Sequence, residues 1–359
     1  MKRWNLWMLL SLFACMAWGQ VPAMVGTDAG ERQVQLSPDE NKKLRKTLKV
    51  LQRKALAGNA EAQYGLAYMH FLSKEYVTAA ELFEEAARKR HAEAQQMLGY
   101  LYAEGLGVSQ SYREAVKWWT KAAGQGNAMA QTFLGYCYLN GDGVAQDQKT
   151  AVDWFMRASE QSDLYALLAL GRCYEQGEGV GQDMCQAARY YEKAMEAPVR
   201  ALALLQEFPT LYQCDPFVMG TMLDRYEAKL RLAAICGLGK GGVEKDVSKA
   251  CALLEDEAAK YANAQIVLGE IYYEDGADGT PGSYEKAVMY FTKAKTDVDD
   301  DWSGIAAFFL SKCYRFGRGV PQDVAKADAL QQEASAKGYD EAKSLDDLLE
   351  KVFTHNSIE

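Results

Sequence analysis

Three groups of residues in this chain could do chemistry. The stretch SYEK at 283–286 matches S-x-x-K, in which a lysine amine beside a serine hydroxyl makes an acylating nucleophile. That reaction also needs S-D-N and K-T-G partners. Neither is present, so Ser283 and Lys286 read as an ordinary helix opening. His70, His91 and His355 are scattered, and no H-E-x-x-H or C-x-x-C occurs, which leaves no metal-ligand spacing. The acidic run DVDDDW at 297–302 lacks the glycine and the distal glutamate of a calcium loop and reads as solvated surface. No catalytic residue, metal or cofactor is expected.

The eight cysteines are the third group, and position explains half of them. Cys137, Cys173, Cys236 and Cys313 occupy one place in a repeated unit where other copies carry Met69, Leu101 and Ile271. That is a core position, where a free thiol behaves as a small hydrophobe. Cys185, Cys214 and Cys251 are irregular. A Cys173–Cys185 bridge across one hairpin stays open, because sequence does not fix the distance.

The unit itself is plain. LGYLYAEGLGV begins at Leu98, LGYCYLNGDGV at Leu134 and LGRCYEQGEGV at Leu170, in steps of 36 residues. Further copies start near 227, 263 and 306, and a shorter copy without the glycine loop fills 60–91. Such a period signals helical hairpins stacked in a row. Ala94, Leu98 and Tyr102, then Ala115, Trp118 and Ala122, fall at helical spacing on the faces that meet. Gly99 and Ala115 leave room for close approach. Gly105 and Gly107 stop the first helix in the left-handed conformation. Asp147, Asp183, Asp246 and Asp323 stand where a carboxylate caps the second helix, with Gly319 and Pro321 fixing the last of these turns.

Around the repeats, the chain divides simply. Residues 1–19 read as a signal peptide: Lys2 and Arg3, a 13-residue apolar run, then the small residues Ala17 and Gly19. The run is too short to span a bilayer. An alternative takes LFAC at 12–15 as a lipidation motif with Cys15 acylated, for which Phe13 is awkward. Either way the protein is expected to be exported. Residues 20–36 read as a flexible lead. Residues 37–58 read as an N-terminal capping helix, opened by Ser37, Pro38 and Glu40 and carrying Leu44, Leu48 and Leu51. Repeats one to four occupy 60–197 and repeats five to seven 227–339. Between them, 198–226 is a degenerate hairpin or a partner-binding insertion exposing Phe208, Tyr212 and Phe217. The tail 340–359, with Leu345, Leu348 and Leu349, caps the far end. A net charge of −9 offers no basic footprint for nucleic acid, and no later stretch is apolar and long enough to cross a membrane.

The pattern A-x-A-Q-x-x-L-G-x-x-Y-x-x-G-x-G-V-x-x-D-x-x-x-A-x-x-W, quoted from these copies, resembles the Sel-one-like repeat, a relative of the tetratricopeptide repeat. The resemblance covers roughly residues 60–339. The unit from 60 departs from it in lacking Gly-x-Gly, and Gly237 stands where Tyr102 stands in the second copy. The resemblance implies an all-α fold: a right-handed superhelical solenoid of antiparallel helix hairpins. It implies scaffold work and no fixed reaction, with a protein or peptide held on the concave face that the first helices line. The residues expected there are Tyr64, Tyr68, Gln96, Tyr100, Thr132, Tyr136, Arg172, Glu175, Glu270, Tyr273, Lys312 and Arg315. Tyr100, Tyr136 and Arg172 form a ladder, unless the tyrosines pack between hairpins instead. Some cysteine-rich relatives are linked to β-lactam chemistry, but their regular cysteine pairing is missing here. The reading is a non-enzymatic binding scaffold of the bacterial cell envelope. Its alternatives are an envelope enzyme or regulator of cell-wall chemistry, and a secreted factor acting on a host surface.

Overall fold

The computed structural model describes residues 21–23, 32–34, 38–198, 216–296 and 300–339. The expected signal peptide with Cys15, the cap Ser37, the residues Phe208, Tyr212 and Cys214, and the tail with Leu345, Leu348, Leu349 and His355 lie outside the described residues. Within the lead, β1 (Val21–Ala23) pairs antiparallel with β2 (Arg32–Val34), Val21 opposite Val34. Everything else with regular structure is helical, so the all-α reading holds for the repeats.

Helix α1 (Pro38–Leu56) leads into the hairpins α2 (Ala60–Leu72) with α3 (Tyr76–Arg88), α4 (Ala92–Glu104) with α5 (Tyr112–Ala123), and α6 (Ala128–Asn140) with α7 (Gln148–Ser159). The first helix of the fourth unit is α8 (Leu164–Gln176) and the second α9 (Met184–Glu196). Helix α10 (Pro216–Leu238) precedes α11 (Val247–Ala258), then come α12 (Ala262–Ala277) with α13 (Ser283–Thr296), and α14 (Asp300–Phe316) with α15 (Val324–Ala336). The described residues divide into two compact bodies, one up to residue 182 with 196–198 and 216–225, the other 183–195 with 226–296 and 300–339. The division falls in the turn before α9.

Each hairpin is punctuated by its own side chains. Asn59, His91, Asn127 and Asp163 cap the first helices by accepting from the N–H of Ala62, Ala94, Ala130 and Ala166. Ser111, Asp147, Asp183, Asp246 and Asp323 do the same for second helices, satisfying donors that no helix satisfies internally. A glutamine closes four of the glycine loops: Gln110, Gln146, Gln182 and Gln322 donate to the carbonyls of Ala103, Leu139, Glu175 and Arg315.

The two loop glycines do different work. Gly141 (φ +85°) ends α6 in the left-handed region, and a Cβ there would come no closer than 3.4 Å to any neighbour, Gln146 Cβ. Gly143 (φ +72°) lies against the preceding hairpin, where a Cβ would sit 2.6 Å from the carbonyl carbon of Tyr112. Gly107, Gly179 and Gly319 meet Tyr76, Gln148 and Tyr284 in the same way. The second glycine is therefore a backbone-to-backbone contact between consecutive units.

In three hairpins a helical glycine seats an aromatic ring. A Cβ on Gly99 would lie 2.5 Å from Trp119 Nε1, on Gly135 2.4 Å from Phe155, and on Gly269 2.5 Å from Phe291. These rings, with Tyr191, are fully buried. The expected core residue Trp118 is corrected by one position. The stripe facing α4 is Ala115, Trp119 and Ala122, all buried, spaced i, i+4, i+7. Trp118 is half-buried beside them, under the Lys121 ammonium at 3.8 Å. Trp119 also donates its indole N–H to the Gln96 carbonyl at 3.0 Å. Successive units are joined by the A-x-A-Q glutamine: Gln95 donates to the Ala87 carbonyl and Gln265 to that of Ala258, both at 2.9 Å. It thus satisfies the last carbonyls of the previous second helix.

In the second body, Cys236 and Cys313 are buried as the repeat position demands, as Cys137 and Cys173 are in the first. Gly237, the departure from Tyr102, makes space for Ile271, whose Cδ1 would lie 2.6 Å from a Cβ there. Helix α10 begins well before the fifth unit, so residues 216–226 of the irregular segment are helical and run directly into it. Glu192 on α9 accepts from Lys249 on α11 at 2.5 Å.

Candidate partner-binding site

The first helices carry the expected binding residues on one stripe, at i and i+4. Along α2, α4, α6 and α8 the stripe reads Tyr64–Tyr68, Gln96–Tyr100, Thr132–Tyr136 and Leu168–Arg172. Tyr100, Tyr136 and Arg172 are each half-buried and recur on consecutive first helices. Tyr100 stacks at 6.3 Å on Phe133 of α6 and meets Phe71 of α2 edge-on at 6.1 Å, so the three helices stand side by side. Burial, and then the Glu104 carboxylate, push the Tyr100 phenol well above its ordinary range. It stays a neutral hydroxyl on an aromatic face.

Five expected contact residues are corrected to packing positions. Tyr64, Tyr68, Gln96, Thr132 and Tyr273 are all less than 9% exposed. Tyr64 lies 5.8 Å from Phe83 and stacks on His91, and Tyr68 packs on Tyr64 and Phe71. Thr132 donates to Asp163, the cap of the next first helix, at 2.8 Å. Tyr273 takes the Arg318 guanidinium on its ring and accepts from it at its hydroxyl. Tyr64 and Thr132 therefore face the cap of the following unit, which periodicity within one helix does not reveal. Glu175, Glu270, Lys312 and Arg315 are half-buried. Arg315 pairs with Asp328 at 2.8 Å, and the Lys312 ammonium rests over Phe308 at 4.4 Å.

Sequence reasoning missed Glu104. It continues the α4 stripe one turn beyond Tyr100, where α6 and α8 carry the uncharged Asn140 and Gln176. It is half-buried, makes no hydrogen bond or ion pair with any described residue, and burial raises its carboxyl above the usual range. Its charge acts on the phenols of Tyr100 and Tyr112, while Asp142 acts on Tyr112 and Tyr76 on Tyr100. The signal lay in the register: a lone carboxylate at a position otherwise uncharged in this body.

The S-x-x-K stretch is not assembled as nucleophile and base. Ser283 is buried and donates to Asp275 at 2.6 Å, while Lys286 lies 4.8 Å over the Tyr272 ring. Cys173 and Cys185 are free thiols in this structure, as are Cys137, Cys236, Cys251 and Cys313. The groove between Gln146–Lys149 and the loop Gly177–Gly181 is open surface rather than an enclosed cleft. Among the described residues no group of histidine, cysteine and carboxylate side chains could hold a metal ion, and no helix is long and apolar enough to cross a membrane.

The Sel1 repeat profile matches seven segments: 60–91, 92–127, 128–163, 164–197, 227–255, 262–296 and 304–339. The chain belongs to the Sel1 repeat family. Sel1 repeat proteins in general are scaffolds for protein–protein interaction and not enzymes. Among solved structures, a Sel1 repeat protein from Oxalobacter formigenes is 23% identical at a TM-score of 0.54, covering 79% of this chain and 99% of its own. A protective antigen of uropathogenic Escherichia coli strains, displaying an SLR fold, is 27% identical at a TM-score of 0.48. The match covers 81% of this chain, which spans 64% of that antigen's length. A Sel1 repeat protein of Klebsiella pneumoniae is 18% identical at a TM-score of 0.28, over 77% of this chain and 98% of its own. No curated protein matches the sequence.

Proposed function

We propose that this Sel1 repeat protein is an exported scaffold of the bacterial cell envelope that holds a protein or peptide partner against its first helices. The observation that carries the reading is the ladder Tyr100, Tyr136 and Arg172: amphipathic side chains, half-buried, one per unit, on adjacent helices. Tyrosine and arginine are the side chains that dominate binding energy at interfaces, because they bury large area and keep a polar tip. The second helices bury Trp119 and Phe155 against the first helices and keep Trp118 and Trp154 half-buried beneath Lys121 and Arg157. The one serine–lysine motif is not brought together, Ser283 donating to Asp275 and Lys286 lying over Tyr272, and the reading gives the scaffold no reaction of its own. Export rests on the charged and apolar start of the chain.

The test is the double substitution Tyr100→Ala with Tyr136→Ala. Partners recovered by cross-linking in envelope extract with the unmodified protein should be lost, while the thermal unfolding midpoint stays near its original value. A melted variant would assign both tyrosines to the core. Cell fractionation with intact-mass measurement tests export: a mass lacking residues 1–19 in the envelope fraction is expected, and an uncleaved protein in the cytosol contradicts it.

A further inference from the structure

Helix α1 concentrates positive charge in a chain that is acidic as a whole. Its nineteen residues hold seven lysines and arginines against Asp39 and Glu40, while the chain carries −9. Leu48, Leu51 and Ala55 form the inward side. Leu48 packs on the core of the first hairpins, Leu51 lies 3.5 Å from the position of a Cβ on Gly65 of α2, and Ala55 is buried. Lys42, Lys46, Lys49 and Arg53 follow each other at i, i+4, i+7 and i+11, on the opposite side, and all four are exposed. They span about 16 Å at 1.5 Å per residue. Leu56, seven residues beyond Lys49, continues the stripe and is 90% exposed. Folding alone does not call for this pattern. Arg53 and Lys54 complement the carbonyl end of the helix, but Lys42, Lys46 and Lys49 lie in its first and middle turns, where like charges three and four residues apart repel. Among the described residues no carboxylate pairs with Lys42, Arg45, Lys46, Lys49 or Arg53, whereas Arg88 on α3 pairs with Glu84 and Lys117 on α5 with Glu114. A cap for the stack needs only a polar outer face, and one of mixed sign would serve.

We infer that the exposed side of α1 rests on an anionic phospholipid bilayer, with the helix axis along the surface. Charge complementarity carries the assignment: each lysine or arginine held near such headgroups is drawn to their negative potential. Two features favour a bilayer over nucleic acid. The helix has no aromatic residue on which a base could stack. The exposed Leu56 beside the cations suits the boundary between headgroups and acyl chains, where aliphatic side chains leave water. The stripe shares no residue with the ladder of Tyr100, Tyr136 and Arg172, so the inference stands apart from the partner-binding face.

The experiment measures co-sedimentation of the full chain with vesicles of three parts phosphatidylcholine to one part phosphatidylglycerol. Vesicles of phosphatidylcholine alone measure any uncharged attachment, including that of the apolar start of the chain. Charged vesicles should hold the chain about a hundredfold or more above that baseline. The excess should vanish in about 0.5 M salt, where charges act over only about 4 Å. Lys42→Gln, Lys46→Gln and Lys49→Gln together keep the helix propensity and should lose about fivefold per charge, about a hundredfold in all. Arg113→Gln, Lys117→Gln and Lys149→Gln together remove the same charge from exposed positions of α5 and α7 and should leave binding unchanged. Should the first variant unfold, amine labelling of the unmodified protein still decides: vesicles should shield Lys42, Lys46 and Lys49 but not Lys117 or Lys149. Equal binding to charged and neutral vesicles, equal losses in the two triple variants, or shielding spread over α5 and α7 would overturn the inference. So would capture of duplex DNA in place of vesicles, which would give the stripe to nucleic acid.

Discussion

Replacing glycines one at a time separates the strain of a left-handed residue from the contact between units. Gly126, Gly141 and Gly143 all have positive φ, at +88°, +85° and +72°. A Cβ on Gly126 meets nothing within 4 Å, and one on Gly141 meets Gln146 Cβ at 3.4 Å. On Gly143 it would lie 2.6 Å from the Tyr112 carbonyl carbon and 2.8 Å from the Arg113 nitrogen, both backbone atoms. Alanine at Gly126 or Gly141 should therefore cost only the left-handed penalty, about 1–2 kcal/mol. Alanine at Gly143 adds the displacement of one hairpin from the next, about 1–3 kcal/mol more by analogy with overpacked cores. The assay is urea unfolding followed by circular dichroism, with the slope checked for each variant because stacked repeats can lose cooperativity at a weakened junction. Gly143→Ala should be the least stable and should broaden the transition. Equal losses for Gly126→Ala and Gly143→Ala would refute the assignment of the second loop glycine to the contact between units.

Trp119→Ala should destabilise by about 3–5 kcal/mol, a buried aromatic lost with its hydrogen bond to Gln96, whereas Trp118→Ala should cost under about 1 kcal/mol; chemical denaturation of the two variants checks the corrected register. Asp163→Ala should cost about 1–3 kcal/mol, since it removes a helix cap and strands the Thr132 hydroxyl, and Thr132→Val on that background should recover part of the loss. Burial pushes the thiols of Cys137, Cys173 and Cys313 up to about 12. Their folded values exceed the unfolded one near 9, so their contribution is complete below about pH 9 and is lost as pH rises toward 12. It fades by up to about 1.4 kcal/mol per pH unit and thiol, and Cys137→Val should flatten the fall of the urea midpoint over that range. At pH 8 a maleimide should label the exposed Cys185 rapidly and these three only on unfolding.

The architecture was legible because glycine, alanine and aspartate sit at fixed offsets whose backbone demands are strong: a left-handed stop, a close helix approach, a cap. The cysteines were legible for the same reason, since a register shared with Met69, Leu101 and Ile271 marks a core position. Register within the second helix was less so. Trp118 and Trp119 are neighbours of equal hydrophobicity, and only the seat that Gly99 provides decides which turns inward. Of the stripe proposed for binding, Tyr100, Tyr136 and Arg172 are half-buried, whereas Tyr64 and Thr132 are packed inside. Those positions meet the cap of the next unit, an inter-repeat contact that a single helix does not encode. Glu104 was missed because the phenols its charge acts on, Tyr100 and Tyr112, are drawn from α4 and α5.

The most direct measurement places a photo-crosslinking amino acid singly at positions 100, 136 and 172 on the first helices, and at 117 and 153 on the second, in the full chain within cells. The account predicts that partner adducts form from the first-helix positions and not from Lys117 or Asp153. Adducts confined to the second helices would contradict it.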